Sequence, residues 1–155
     1  MSNPLVRFFA LLTVALVAGT LFGIWLGFDP SGLSPGTYVE SQQRTIRALG
    51  TLMPALGGAG ILLTIVLAVG ERGRRPVFGL LVAVAVLLLV AGLVTVFQNQ
   101  PINAQVMTWR AQAPPANWTE LRDQWWLWHV VRSVAGLGAL GLLIGATLAD
   151  RKRAP

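Results

Sequence analysis

Three stretches of this 155-residue chain, residues 8–28, 48–70 and 77–97, contain no Asp, Glu, Lys or Arg. Each matches the ~20 residues that an α-helix needs to cross a ~30 Å hydrocarbon core. A fourth stretch, 125–149, is similarly apolar but carries His129 and Arg132. Continuous apolar runs favour helices over membrane strands, which alternate in segments of ~10 residues. Helices also satisfy their own backbone groups in lipid. The expectation is one all-α integral membrane domain, residues 1–155, with helices at about 6–28, 48–70, 77–98 and 125–149. Longer segments at about 29–47 and 99–124 join them on one side. Composition agrees: charged residues make up 12% of the chain, against roughly 25% in soluble domains. That is too little charge to cover a globular surface in water.

The net charge of +6 invites a nucleic-acid reading until the charges are placed. Arg7, Arg72, Arg74, Arg75, Arg151, Lys152 and Arg153 fall on one side of a four-helix hairpin, opposed by Glu71 and Asp150. The other side holds Arg44, Arg47, Arg110 and Arg122, balanced by Asp29, Glu40, Glu120 and Asp123. The excess is a topology signal, and the positive-inside rule puts both termini in the cytoplasm of a plasma-membrane protein. No nucleic-acid partner is expected. Arg7 followed by an apolar run also fits a signal peptide, but the run exceeds the 7–15 residues of a typical h-region. Loss of that span would also break the charge pattern.

The chain has no cysteine and one histidine, which excludes thiolate chemistry, Fe–S clusters and multi-His metal sites within one chain. No metal site and no cofactor are expected. Gly19, Gly23 and Gly27 on the first helix, and Gly141 and Gly145 on the fourth, repeat at GxxxG spacing. Small residues so spaced let helix backbones approach closely. Packing within the bundle is the first reading and a homo-oligomer the second.

The polar residues gather on the outer side. Residues 71–76 read as a plain charged connector. Residues 29–47 open with turn signals and continue from Tyr38 through Gln42, Gln43 and Arg47 as a potential extension of the second span. Asn99 and Asn103 flank Pro101 at the end of the third span. On the fourth helix, Trp125, His129 and Arg132 stand at i, i+4 and i+7, which is one helix face. Arg132 lies about 10 Å further along the axis than Trp125. A charge at that depth costs roughly 2.5 kcal/mol or more unless it snorkels, pairs or faces a wet cavity. His129 is the one side chain here that trades protons near neutral pH without a large shift.

The run Asn99-x-Pro101-x-Asn103, then Trp109, then Trp118-x-x-x-Arg122-x-x-Trp125-Trp126, then His129-x-x-Arg132 resembles the anthrone-oxygenase-like family of small four-helix membrane proteins. Gly19-Thr20-Leu21-Phe22-Gly23, Tyr38 with Gln42 or Gln43, and Met53-Pro54 are similar to that family too. The resemblance implies cofactor-independent oxidation of a small aromatic compound by O₂. It implies His129 as base and Arg132 as stabiliser of the developing negative charge. Asn99, Asn103, Gln43 and Tyr38 would hold the substrate, with Trp125 or Trp126 as a stacking wall. The partners so implied are a small lipophilic aromatic molecule and membrane lipid. Two other classes use the same residues: a non-enzymatic protein that binds or passes a lipophilic molecule, and an accessory subunit packed on a larger membrane complex.

Overall fold

The computed structural model describes residues 3–151. Lys152 and Arg153 of the basic tail lie outside the described residues, as do the side chains of Asp150 and Arg151. Among the described residues there are six α-helices: α1 (Pro4–Gly27), α2 (Pro35–Leu49), α3 (Leu52–Gly70), α4 (Arg75–Val94), α5 (Gln100–Val106) and α6 (Trp118–Arg151). Four helical stretches among the described residues are long and apolar enough to cross a membrane: Pro4–Gly32, Leu52–Gly70, Arg75–Val106 and Trp118–Ala149. Their outward faces carry bare apolar side chains, such as Leu26, Leu62 and Phe97. In water these would aggregate; against lipid tails they are matched to their solvent.

Local chemistry sets the helix starts. The Asn3 side chain accepts the Leu5 N–H at 2.9 Å and Pro4 fills the first turn of α1, where its missing N–H is not needed. Ser34 and Pro35 open α2 in the same way, with the Ser34 hydroxyl accepting the Thr37 N–H at 3.3 Å. α2 is a separate amphipathic helix and not a continuation of α3. The break falls at Gly50, where a Cβ would stand 2.6 Å from the Ile46 carbonyl oxygen, so only glycine makes that turn without displacement.

Two boundaries differ from the sequence expectation. The third span does not end at residue 98. A π-helical turn, Thr95–Asn99, links α4 to α5, and Pro101 sits in the first turn of α5. In the π turn the backbone bond reaches back five residues, as the Gln100 N–H does to the Thr95 carbonyl, and the helix runs on through Pro101, which has no N–H to donate. The fourth helix begins at Trp118 and not near residue 125. It starts three residues after Pro115, with Glu120 in its first turn, where a carboxylate favours the helix dipole.

Helices α1, α3, α4 and α6 form the bundle, with α4 against α6 the most extensive contact. One apolar cluster, built on Val14, Leu67, Leu81, Val84 and Leu143, fills the half near the α3–α4 turn. A smaller one, Ile102, Val106 and Trp125, fills the end carrying α2 and α5. Between them runs a buried polar band of Gln42, Asn99, His129 and Ser133.

The glycine stripes do not serve packing within the bundle. A Cβ on Gly19, Gly23, Gly27, Gly141 or Gly145 would meet nothing within 4 Å. The buried face of α1 is instead Ala10, Val14, Ala18 and Leu21, a different side of the helix. The close approaches occur at Gly60 against Val14, Gly136 against Leu21 and Gly138 against Leu87. The 71–76 connector is more than a link. Glu71 is buried and binds Arg7 of α1 at 3.5 Å and Arg74 at 3.4 Å, clasping that end of the bundle.

Candidate functional site

Helix α6 supplies the centre of the site. The His129 ring is fully buried and stacks on Trp125 (centroids 5.0 Å apart, planes at 10°) and Trp126 (5.6 Å, 14°). Its Nδ1 lies 2.9 Å from Arg132 Nη2 and its Nε2 lies 3.1 Å from the Leu21 carbonyl oxygen. A guanidinium only donates and a carbonyl only accepts. The pair of contacts therefore assigns the tautomer: Nε2 carries the hydrogen and Nδ1 offers its lone pair to Arg132. Both ring nitrogens are engaged. In this arrangement the imidazole has no lone pair left to take a substrate proton, the role expected of it from the sequence.

Arg132 turns into the bundle and does not snorkel. Besides His129 it donates a long bond to the Thr95 hydroxyl at 3.4 Å. Its Cζ stands 5.8 Å from the Trp125 ring centroid, within cation–π range. Its Nε is buried with no partner among the described residues. The ion pairs found among the described residues are Arg7 and Arg74 with Glu71, and Arg122 with Asp123; none involves Arg132. A cation is thus held at membrane depth by neutral groups alone, a costly arrangement.

Arg132 stands where two hollows meet. One is a recess of about 50 Å³ under α2, lined on its polar side by Gln42, Thr45, Gln100 and Asn103, with Trp125 as a wall. The other is an apolar cavity of about 480 Å³ between α3 and α4, within the ~300–1,000 Å³ range of small-molecule sites. Both share Leu21, Met53, Pro54, Thr95, Gln100 and Arg132.

The remaining expected residues divide. Asn103 lines the recess, and its Oδ1 accepts from Trp125 Nε1 at 2.8 Å and Gln42 Nε2 at 3.3 Å. Asn99 lies off both hollows. It donates to the Trp125 carbonyl at 3.0 Å, tying the π turn to α6. Trp126 braces His129 from outside the cavity walls. Gln43 points elsewhere, donating to the Val106 and Trp109 carbonyls at 2.9 and 3.0 Å; it is Gln42 that faces the recess. Tyr38 is buried against Trp118 at 5.7 Å between centroids, away from both hollows. Burial pushes its hydroxyl up to about 12, with Arg122 pulling the other way.

The structure adds Thr95, Gln100 and Gln42 to the site. Gln100 stands three residues before Asn103 and so shares its helix face, a signal that was available. Thr95 resembles any membrane threonine bonding its i−4 carbonyl, as it does to Ala91 at 2.8 Å, and carries no such signal. No group of three or more His, Cys, Asp or Glu among the described residues could hold a metal ion.

Comparison with known proteins adds one finding. A family model described as anthrone oxygenase matches residues 43–142, a span that includes Asn103, Trp125, His129 and Arg132. No curated protein and no solved structure gives a significant match.

Proposed function

The chain belongs to the anthrone oxygenase family, and from that premise we propose that it oxidises a small, lipophilic, anthrone-like aromatic compound with O₂ inside a membrane. The observation that carries this reading is Arg132: a half-buried cation whose Nε is buried and unpartnered, with no carboxylate partner among the described residues, on the wall of a cavity large enough for a flat aromatic. In our reading the membrane is the plasma membrane, both termini are cytoplasmic, and the α2/α5 end with its site faces outward.

The chemistry needs no other oxidant. Anthrones are weak carbon acids that give up a benzylic proton to water or a buffer base, leaving an electron-rich anion whose charge rests largely on oxygen. The anionic carbon forms a bond to O₂, and protonation gives a hydroperoxide. Loss of the second benzylic hydrogen with cleavage of the O–O bond yields the quinone carbonyl and one water. Substrate carbon is oxidised and O₂ is reduced. Negative charge develops first on the substrate oxygen and then on the peroxide, and preorganised donors aimed at such charge usually supply the largest catalytic effect. Arg132 is the group for that task, with Gln100, Asn103 and Gln42 as neutral donors beside it. His129 is best read as a positioning residue that holds Arg132, with the Trp125 ring as the aromatic wall.

Dioxygen uptake by the purified, lipid-reconstituted protein with an anthrone tests this directly. The expected result is uptake above the spontaneous rate, one O₂ per quinone, unchanged by a metal chelator, with isotope-labelled dioxygen entering the quinone carbonyl. Uptake no faster than the spontaneous reaction would refute it. The second reading, a binding protein for the same molecules, draws support from the engagement of both His129 nitrogens. It predicts tight binding of the anthrone with no acceleration of its oxidation.

A further inference from the structure

We propose that the cavity between α3 and α4 is a side entrance from the bilayer, and that its ligand is a membrane-dissolved lipophilic weak acid bound as an organic anion with Arg132 as counter-ion. The proposal deepens the oxygenase reading by naming the ligand's charge state and route, and rests on it only for the choice of an aromatic probe.

The route follows from which residues line the cavity. Phe97 and Val96 form one lip and are 67% and 57% exposed on the outer surface of the bundle. Pro54 and Gly58 form the facing lip on α3 and are exposed too. The far wall includes Leu21 and Gly136, both buried against α1 and α6. The cavity therefore runs from the lipid-facing surface to the bundle interior. Its walls are almost wholly apolar, so water and free ions gain nothing by entering from that side. Glycines keep the gap wide: a Cβ on Gly57, Gly58 or Gly92 would meet no atom within 4 Å.

The charge state follows from what surrounds Arg132. Thr95 and Gln100 are the other polar side chains of the cavity, and both are neutral. The polar recess adds Gln42, Thr45 and Asn103, also neutral. Arg132 Nε remains buried and unpartnered among the described residues. A guanidinium in an apolar wall is an expensive element to keep, and a ligand oxyanion both neutralises it and accepts from it in a charge-assisted bond. An enolate or phenolate on a flat, otherwise apolar body matches the cavity on both counts.

The test uses a pair of probes that O₂ does not attack: a monohydroxyanthraquinone and its O-methyl ether, added to protein in zwitterionic-lipid nanodiscs. Quenching of tryptophan fluorescence reports binding. The hydroxy compound should bind about tenfold or more tighter than the ether at a pH where it ionises, and Arg132→Gln should erase the difference. Gly57→Leu with Gly92→Leu adds bulk to the gap from positions where a Cβ meets no atom within 4 Å and keeps Arg132, so it should weaken or slow binding of both probes. Equal affinities in the wild type, or unchanged binding and rate in the filled variant, would overturn the proposal. Discrimination between the probes without any anthrone oxidation would leave it standing while the oxygenase reading fails. Anthrone oxidation without discrimination would do the reverse.

Discussion

Replacing His129 separates two roles that a simple alanine scan would merge. In the structure His129 accepts from Arg132 at 2.9 Å, donates to the Leu21 carbonyl at 3.1 Å and stacks on two tryptophans. His129→Ala removes all of these. A bond to a charged donor is worth about 1.5–3 kcal/mol and an aromatic pair about 0.5–1.5 kcal/mol. Emptying a buried ring site typically costs about 3–5 kcal/mol in total, and that is the expected loss. His129→Asn places Oδ1 close to where Nδ1 stood, so it retains the bond to Arg132 and loses the rest, for a cost of about 2 kcal/mol. Unfolding by denaturing detergent, followed through tryptophan fluorescence, measures both. Activity then divides the roles. If His129 only positions Arg132, His129→Asn keeps anthrone-dependent O₂ uptake within about tenfold, while His129→Ala, with Arg132 free to shift, loses about 100-fold. If His129 is a base, the two variants fall together, by about 10²–10⁴. An Asn variant that is folded, destabilised by no more than about 2 kcal/mol and as inactive as the Ala variant would refute the positioning role.

Four further outcomes follow from the fold. Gly23→Leu should leave stability equal or higher, since its Cβ meets nothing and leucine gains up to about 1 kcal/mol of helix propensity. Gly136→Leu, whose Cβ already stands 3.5 Å from Leu21, should cost about 1–3 kcal/mol by overpacking α1 against α6; detergent unfolding reads both, and a loss of oligomer in the Gly23 variant alone would reveal a second copy on that face. Glu71→Gln should destabilise by about 2 kcal/mol, less than the 3–5 kcal/mol of a fully buried pair, because Arg7 and Arg74 stay 19% and 33% exposed; O₂ uptake should be unchanged. Tyr38, the sole tyrosine, should show no tyrosinate absorbance until the pH approaches about 12. A raised folded value favours the neutral phenol, so its contribution to stability is fully present below the ordinary value near 10 and is lost as pH rises through 12.

The bundle was legible in the sequence because lipid demands long uncharged runs, and residues 8–28, 48–70 and 77–97 leave little alternative. Its ends were not. Pro101 reads as a terminator, yet the π turn at Thr95–Asn99 carries the chain through it. The charges at Glu120, Arg122 and Asp123 interrupt apolarity without interrupting α6. The face shared by Trp125, His129 and Arg132 could be read from spacing alone. The partner each side chain takes could not, because Leu21, Thr95 and Asn103 arrive from other helices. Gln42 and Gln43 are neighbours about a quarter-turn apart, and only the position of α5 decides which of them faces the recess. The glycine stripes misled for a related reason: GxxxG spacing marks a smooth face but not what lies against it.

The proposed oxidation depends on Arg132 as the charge that handles the substrate anion. Its most direct test is the anthrone-dependent O₂ uptake rate of Arg132→Gln beside wild type, in one lipid and at saturating anthrone, with tryptophan fluorescence confirming the fold. Loss of about 100-fold or more is the predicted result. A folded Arg132→Gln protein that accelerates the oxidation as well as wild type would contradict it.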